Sequence, residues 1–118
     1  MKTWTKEMIK DLIFKNDVAV YRGIVAIYER QTQDEKLDPG AHHHNGVGFS
    51  GIDAGIMSSF AEQIIRFNND KNPKYKNPLS PKQLELARKK IARYSRQLAE
   101  IANYNEEMKE EREAIESQ

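Results

Sequence analysis

The chain has 118 residues, with 19 Lys+Arg against 18 Asp+Glu, no cysteine, 38% hydrophobic and 31% charged residues. That length suits one small domain with a thin core, not a multidomain enzyme. The absence of cysteine excludes disulfides and Cys-containing zinc sites, and makes a reducing cytoplasm the expected compartment. No apolar run approaches the ~18 residues needed to span a bilayer, and the polar start of the chain carries no signal-type apolar segment, so no membrane partner is expected.

The formal net charge of +1 conceals a division. Residues 1–70 carry net −2, residues 71–99 carry net +8 with Glu85 as the one acid, and residues 100–118 carry net −5. A basic block therefore adjoins an acidic tail, the pattern of a chain that meets charged partners.

In chain order, Thr5 caps a first helix whose apolar residues Met8, Ile9, Leu12 and Ile13 recur at helical spacing. A second start at Asn16-Asp17 leads into Val20, Tyr21, Ile24, Val25, Ile27 and Tyr28 and continues to about Glu35, where Asp38-Pro39-Gly40 ends it. The β-branched residues within 18–27 leave strand as the alternative. Next comes the glycine-rich run Asn45-Gly46-Val47-Gly48-Phe49-Ser50-Gly51, a loop or short hairpin insertion. A helix capped by Asp53 follows, with Ile56, Met57, Phe60, Ala61, Ile64 and Ile65 on its inner face, ending near Asn68-Asn69-Asp70. Residues 70–79 form a polar linker.

The last helix has the strongest start signal, because Ser80-Pro81-Lys82-Gln83 combines an N-cap serine, proline in the first turn and a capping-box glutamine. Leu84, Ile91, Leu98 and Asn105, with Ala87, Tyr94, Ile101 and Met108, give heptad a and d positions over about 25 residues. The expected fold is mainly α: one helical domain over 1–105, a long C-terminal helix, and an acidic helical tail over 106–118. Tyr21, Tyr28, Tyr94 and Tyr104 are expected to be half-buried with the hydroxyl at the surface.

Four constellations bear on chemistry. Lys82, Lys89, Arg93 and Arg96 lie within about 60° of one another, opposite the apolar seam, at 100° per residue. Arg88 and Lys90 flank this stripe, and Lys71, Lys74, Tyr75 and Lys76 extend it with an aromatic ring available for stacking. Such a stripe suits a phosphate backbone, an acidic protein, or simply solvent. In the glycine loop, Asn45, Gly46, Gly48 and Phe49 are candidate contacts that offer backbone N–H groups to an anion at the following helix start, or else Gly46, Gly48 and Gly51 allow a tight turn in which Val47 and Phe49 plug the core. No P-loop or dinucleotide fingerprint is present. His42-His43-His44 are consecutive and cannot easily converge on one ion, although two of them could join Asp38 or Asp53. No metal or other cofactor is expected. The one acid/base arrangement that can be drawn sets Glu29, Asp34, Glu35 or Asp53 beside those histidines. With no Cys nucleophile or hydrolase motif, and with Ser58-Ser59 inside an amphipathic helix, no enzyme is expected.

The strings Tyr28-Glu29-Arg30-Gln31-Thr32-Gln33-Asp34-Glu35, Asn45-Gly46-Val47-Gly48-Phe49-Ser50-Gly51-Ile52-Asp53-Ala54, Ser58-Ser59-Phe60-Ala61 and Leu79-Ser80-Pro81-Lys82-Gln83-Leu84, with Ala87-Arg88 and Tyr94, carry a resemblance. Over residues 28–98 the chain resembles a small helical domain of phage and mobile-element proteins, found alone or beside helicase- or primase-like replication modules. The resemblance brings no catalytic residues. It implies an accessory of DNA replication, recombination or host defence, with Asn45, Gly46, Gly48, Phe49, Lys82, Gln83 and Arg88 as the matching positions. The His triplet and the glutamate tail depart from the pattern. Three expectations follow: nucleic-acid binding through Lys74, Lys76, Lys82, Arg88, Lys89, Arg93 and Arg96; a phage inhibitor that binds a host CRISPR effector or defence nuclease, its acidic tail imitating DNA; or a homodimer through residues 84–108.

Overall fold

The computed structural model describes residues 3–37 and 48–116, with residues 33–37 as helix backbone only. Five α-helices appear in this span: α1 (Lys6–Lys15), α2 (Asp17–Leu37), α3 (Gly51–Asn69), α4 (Pro81–Ile91) and α5 (Ser95–Glu116), with a 3₁₀ turn at Ala92–Tyr94 joining the last two. The described residues contain no strand, and the β-branched stretch at 18–27 is helical. Tertiary burial decides that stretch: Val20, Ile24 and Ile27, at helical spacing, are completely buried.

The starts and stops have local causes. Thr5 Oγ1 accepts the Met8 N–H at 3.2 Å. Asn16 breaks α1 from α2 and caps the latter, its Oδ1 accepting the Ala19 N–H at 3.2 Å. Ser80 and Gln83 form the reciprocal capping box, Gln83 N–H to Ser80 Oγ at 3.2 Å and Ser80 N–H to Gln83 Oε1 at 2.9 Å. At α3 the expectation is corrected. The N-cap is Ser50, in extended conformation, and Asp53 stands inside the first turn.

α2 is the hub, packed on α3 and α4, while α1 lies along α5. Ile13, Ile24, Ile27, Met57, Ile64 and Ile91 form the fully buried centre. Gly23 makes the close approach possible, since a Cβ there would meet Leu98 Cδ1 at 3.2 Å and Ile91 Cγ1 at 3.3 Å. At the other end, Trp4 N–H donates to Asn103 Oδ1 (2.7 Å) and Asn103 Nδ2 donates to Trp4 O (3.0 Å), fastening the N-terminus to α5.

The C-terminal rod, residues 81–116, spends its heptad seam on the chain's own core. Ala87, Ile91, Tyr94 and Leu98 are buried, with Leu84 and Ile101 half-buried. The rod is not one uninterrupted α-helix. Three residues at 120° instead of 100° rotate the seam by about 60° at Ala92–Tyr94. From Tyr104 to Glu116 every residue except half-buried Glu106 is exposed, so this acidic end of α5 stands clear of the bundle. No helix among the described residues is long and apolar enough to cross a membrane.

Candidate nucleic-acid interface

The structure sorts the basic block into two groups. Lys82, Lys89, Arg93 and Arg96 are all exposed. Moving Arg96 forward by about 60° at the 3₁₀ turn keeps it with Lys82 and Lys89 on the outward side of the rod. Their only ion pairs among the described residues are loose i,i+4 contacts: Lys89 to Glu85 at 3.7 Å and Arg96 to Glu100 at 4.0 Å. Exposed pairs of this kind are worth ~0–1 kcal/mol and do not withdraw the cations from a partner. Lys71, Lys74, Tyr75 and Lys76 are also exposed in the linker leading to Lys82.

Arg88 and Lys90 belong to the other group. The Arg88 Nε donates to the Ile13 carbonyl at 3.0 Å, and its Nη2 pairs with Asp17. Arg88, expected on the binding stripe, therefore staples α4 to the α1–α2 corner. Lys90 Nζ lies 2.9 Å from Asp53 Oδ1 and ties α4 to the first turn of α3.

Asp53 is 3% exposed. Besides Lys90 it accepts the Tyr94 O–H on Oδ2 at 2.8 Å. These two hydrogen bonds, led by that from Lys90, hold its carboxyl below the usual aspartate value against the opposing effect of burial. Tyr94 is correspondingly inward, not hydroxyl-out. Burial is the main cause that raises its phenol above the ordinary value, and its hydroxyl also accepts the Ser50 N–H at 3.0 Å.

The exit of the glycine loop is clamped by side chains from α2 and the C-terminal rod. Gly48 N–H donates to Gln97 Oε1 (3.0 Å) while Gln97 Nε2 donates to Gly48 O (2.9 Å). Phe49 N–H donates to Gln31 Oε1 at 2.9 Å. Three successive amides, those of Gly48, Phe49 and Ser50, thus have protein acceptors and are not aimed at an anion. Phe49 is buried and meets Tyr94 edge-on, with ring centroids 5.3 Å apart. Of the two expected plug residues Phe49 is buried, and the backbone N–H groups of Gly48 and Phe49, expected as ligand contacts, are spent on Gln97 and Gln31. Gln31, Gln97 and Tyr94 were missed as clamp residues, because a lone glutamine or tyrosine on a helix carries no local signal of a partner far along the chain.

Asn45, Gly46, Val47, Asp38 and the triplet His42–His44 lie outside the described residues, as do the side chains of Asp34 and Glu35. Among the described residues no group of His, Cys, Asp or Glu is placed to hold a metal ion.

Gly48 is the one described residue with positive φ, +85°, and a Cβ there would lie 2.7 Å from Gln31 Cβ. Gly48→Ala is expected to lower stability by about 2 kcal/mol, from left-handed strain plus displacement of Gln31. A shift in the urea midpoint at constant slope checks it, and an unchanged midpoint contradicts it.

In comparisons with known proteins, no family model, curated protein or solved structure matches the chain.

Proposed function

We propose that the chain is a non-enzymatic nucleic-acid-binding accessory, of the kind that serves phage or mobile-element DNA metabolism, and that it grips the phosphate backbone through Lys74, Lys76, Lys82, Lys89, Arg93 and Arg96. One observation carries this reading. With Arg88 and Lys90 paired to Asp17 and Asp53, the remaining cations of the block all stay exposed in the linker and on the helices that follow it, with Glu85 the only acid among residues 71–99. Lys82 to Arg96 spans about 21 Å of helix, a length suited to several successive phosphates. Such contacts position a backbone without reading bases.

The track has a definite end. Glu100 follows Arg96 by one turn, and Glu110 recurs two heptads beyond Arg96 on the same outward side. A phosphate backbone is repelled past that point, so the footprint closes near residue 100.

The test is retention of labelled single- and double-stranded DNA across a salt series. Binding is expected to weaken steeply, with a log–log slope of about −3 to −5 for four to six neutralised phosphates. A flat response, with no binding at low salt, removes the reading.

A second reading, an inhibitor of a host defence protein, is favoured by the exposed acidic helix beyond Tyr104. A rod bearing six glutamates against Lys109 and Arg112 over residues 106–116 presents spaced negative charge to a DNA-binding groove. Under this reading the full chain blocks DNA binding by such a nuclease, and a chain ending at residue 105 does not.

A further inference from the structure

Between α3 and α4 the chain leaves helical conformation for residues 70–80, yet this linker is held in place. At its start Asp70 Oδ1 accepts the Asn72 N–H at 2.9 Å. At its end Leu79 is buried, and Gln63 Nε2 reaches across from α3 to the Pro78 carbonyl at 2.8 Å. Gln63 and Gln83 also exchange amide hydrogen bonds, of 2.9 Å and 3.3 Å, joining α3 to the start of α4. The linker thus starts in a local turn and is fastened to α3 at its far end, through Pro78 and Gln83.

Within this linker the Tyr75 side of the chain faces water, and Tyr75 itself is 70% exposed. Lys74 Nζ lies over one face of the ring, 5.7 Å from its centroid, and Lys71, Lys76 and Lys82 stand along the same stretch of chain with no acidic residue between Lys71 and Leu84. Beside the ring opens a cleft of about 690 Å³ walled by Tyr75, Lys76, Asn77, Pro78, Gln63 and Gln83. An exposed aromatic ring flanked by lysines, on an anchored loop next to a cleft, is the arrangement by which proteins stack an unpaired base while cations hold the adjoining phosphates.

We infer that Tyr75 stacks an unpaired base at the entrance of this cleft, so that the ligand of the basic track is single-stranded nucleic acid. The inference rests on the nucleic-acid reading and adds a base to a contact otherwise made with phosphates. In a duplex both faces of each base are already covered by neighbours, so only a single strand or a strand end offers the face that Tyr75 needs. The base then stacks on the face opposite Lys74, Lys76 meets an adjoining phosphate, and the strand continues along Lys82, Lys89, Arg93 and Arg96.

The test compares an oligothymidylate with an abasic strand of equal length and charge, at one salt concentration, using the full chain. The thymidylate strand is expected to bind about ten-fold more tightly, the contribution of one base–aromatic stack. Tyr75→Ala is expected to erase that preference and leave the salt slope unchanged, while Tyr75→Phe keeps it. Because the ring is exposed, neither variant disturbs the core. Equal binding of the two strands by the wild-type chain, or a preference that survives Tyr75→Ala, overturns the stacking inference while the phosphate reading stands. Failure of both strands to bind at low salt overturns the phosphate reading and the inference together.

Discussion

Asp53→Ala is expected to destabilise the fold by about 3–5 kcal/mol, the usual penalty for leaving one member of a buried ion pair alone. In a chain of this size that lowers the thermal midpoint by roughly 10 °C or more. The substitution strands Lys90, whose side chain is 20% exposed, and leaves the Tyr94 hydroxyl without its acceptor at 2.8 Å. It also removes a negative charge from the first turn of α3, where the helix dipole favours one. Adding Lys90→Met to Asp53→Ala should recover part of the loss, because the uncompensated charge is then gone and the methylene stem is kept. A thermal midpoint for Asp53→Ala within a few degrees of wild type would falsify this account of how α3 is held to α4.

The same network sets a pH dependence. The Asp53 carboxyl is held below its ordinary value in the folded chain, chiefly by the Lys90 hydrogen bond and then by Tyr94. Its contribution is therefore complete above the unfolded value of about 3.9 and is lost as pH falls through the lower folded value. Asp53→Ala should show a flatter loss of stability below about pH 4 than wild type. Tyr94 acts at the other limb. Its phenol is raised, first by burial, so its contribution is complete below about pH 10 and fades as pH rises through the folded value.

Lys89→Glu/Arg96→Glu is expected to reduce DNA affinity by about 100-fold at low salt and to cut the magnitude of the salt slope by about 2, one for each lost phosphate contact. The fold should be almost untouched. The two side chains are 70% and 87% exposed, and each makes only a long i,i+4 pair. Each reversal sets a like charge against the former partner, Glu85 in one case and Glu100 in the other, at a cost of about 0.5 kcal/mol each at most. Arg88→Gln provides the contrast. It should weaken the fold by releasing the Ile13 carbonyl and Asp17, while the salt slope of the folded protein stays that of wild type. A double charge reversal that leaves both affinity and slope unchanged rules out the outward face of the rod as the phosphate track.

Much of the architecture is legible in the residues because its causes are local. Thr5, Asn16 and the Ser80/Gln83 box each satisfy orphan amides within one turn of themselves, so the helix starts they mark need no knowledge of the rest of the chain. The heptad seam of the C-terminal rod likewise foretells a buried face packed on shorter helices, and the structure fills it with α1 and α2. Asp53 shows where local reasoning fails. Its spacing before Ile56 and Met57 suits a cap, but Ser50 takes that place, and the carboxylate turns inward to Lys90 and Tyr94, residues some 40 positions away.

The net charge of +1 and its division into acidic, basic and acidic segments were determined by the sequence alone. Which cations remain available was decided only by tertiary structure. Arg88 and Lys90 stand beside Lys89 in the chain, yet a helix turns successive residues by about 100°. Lys89 therefore faces water while its neighbours on either side reach carboxylates on α2 and α3. The glycine loop follows the same logic. Its composition permits an anion cradle or a core plug, and the choice falls to the plug because Gln31, Gln97 and Tyr94, brought in by two other helical segments, take the amides of Gly48, Phe49 and Ser50.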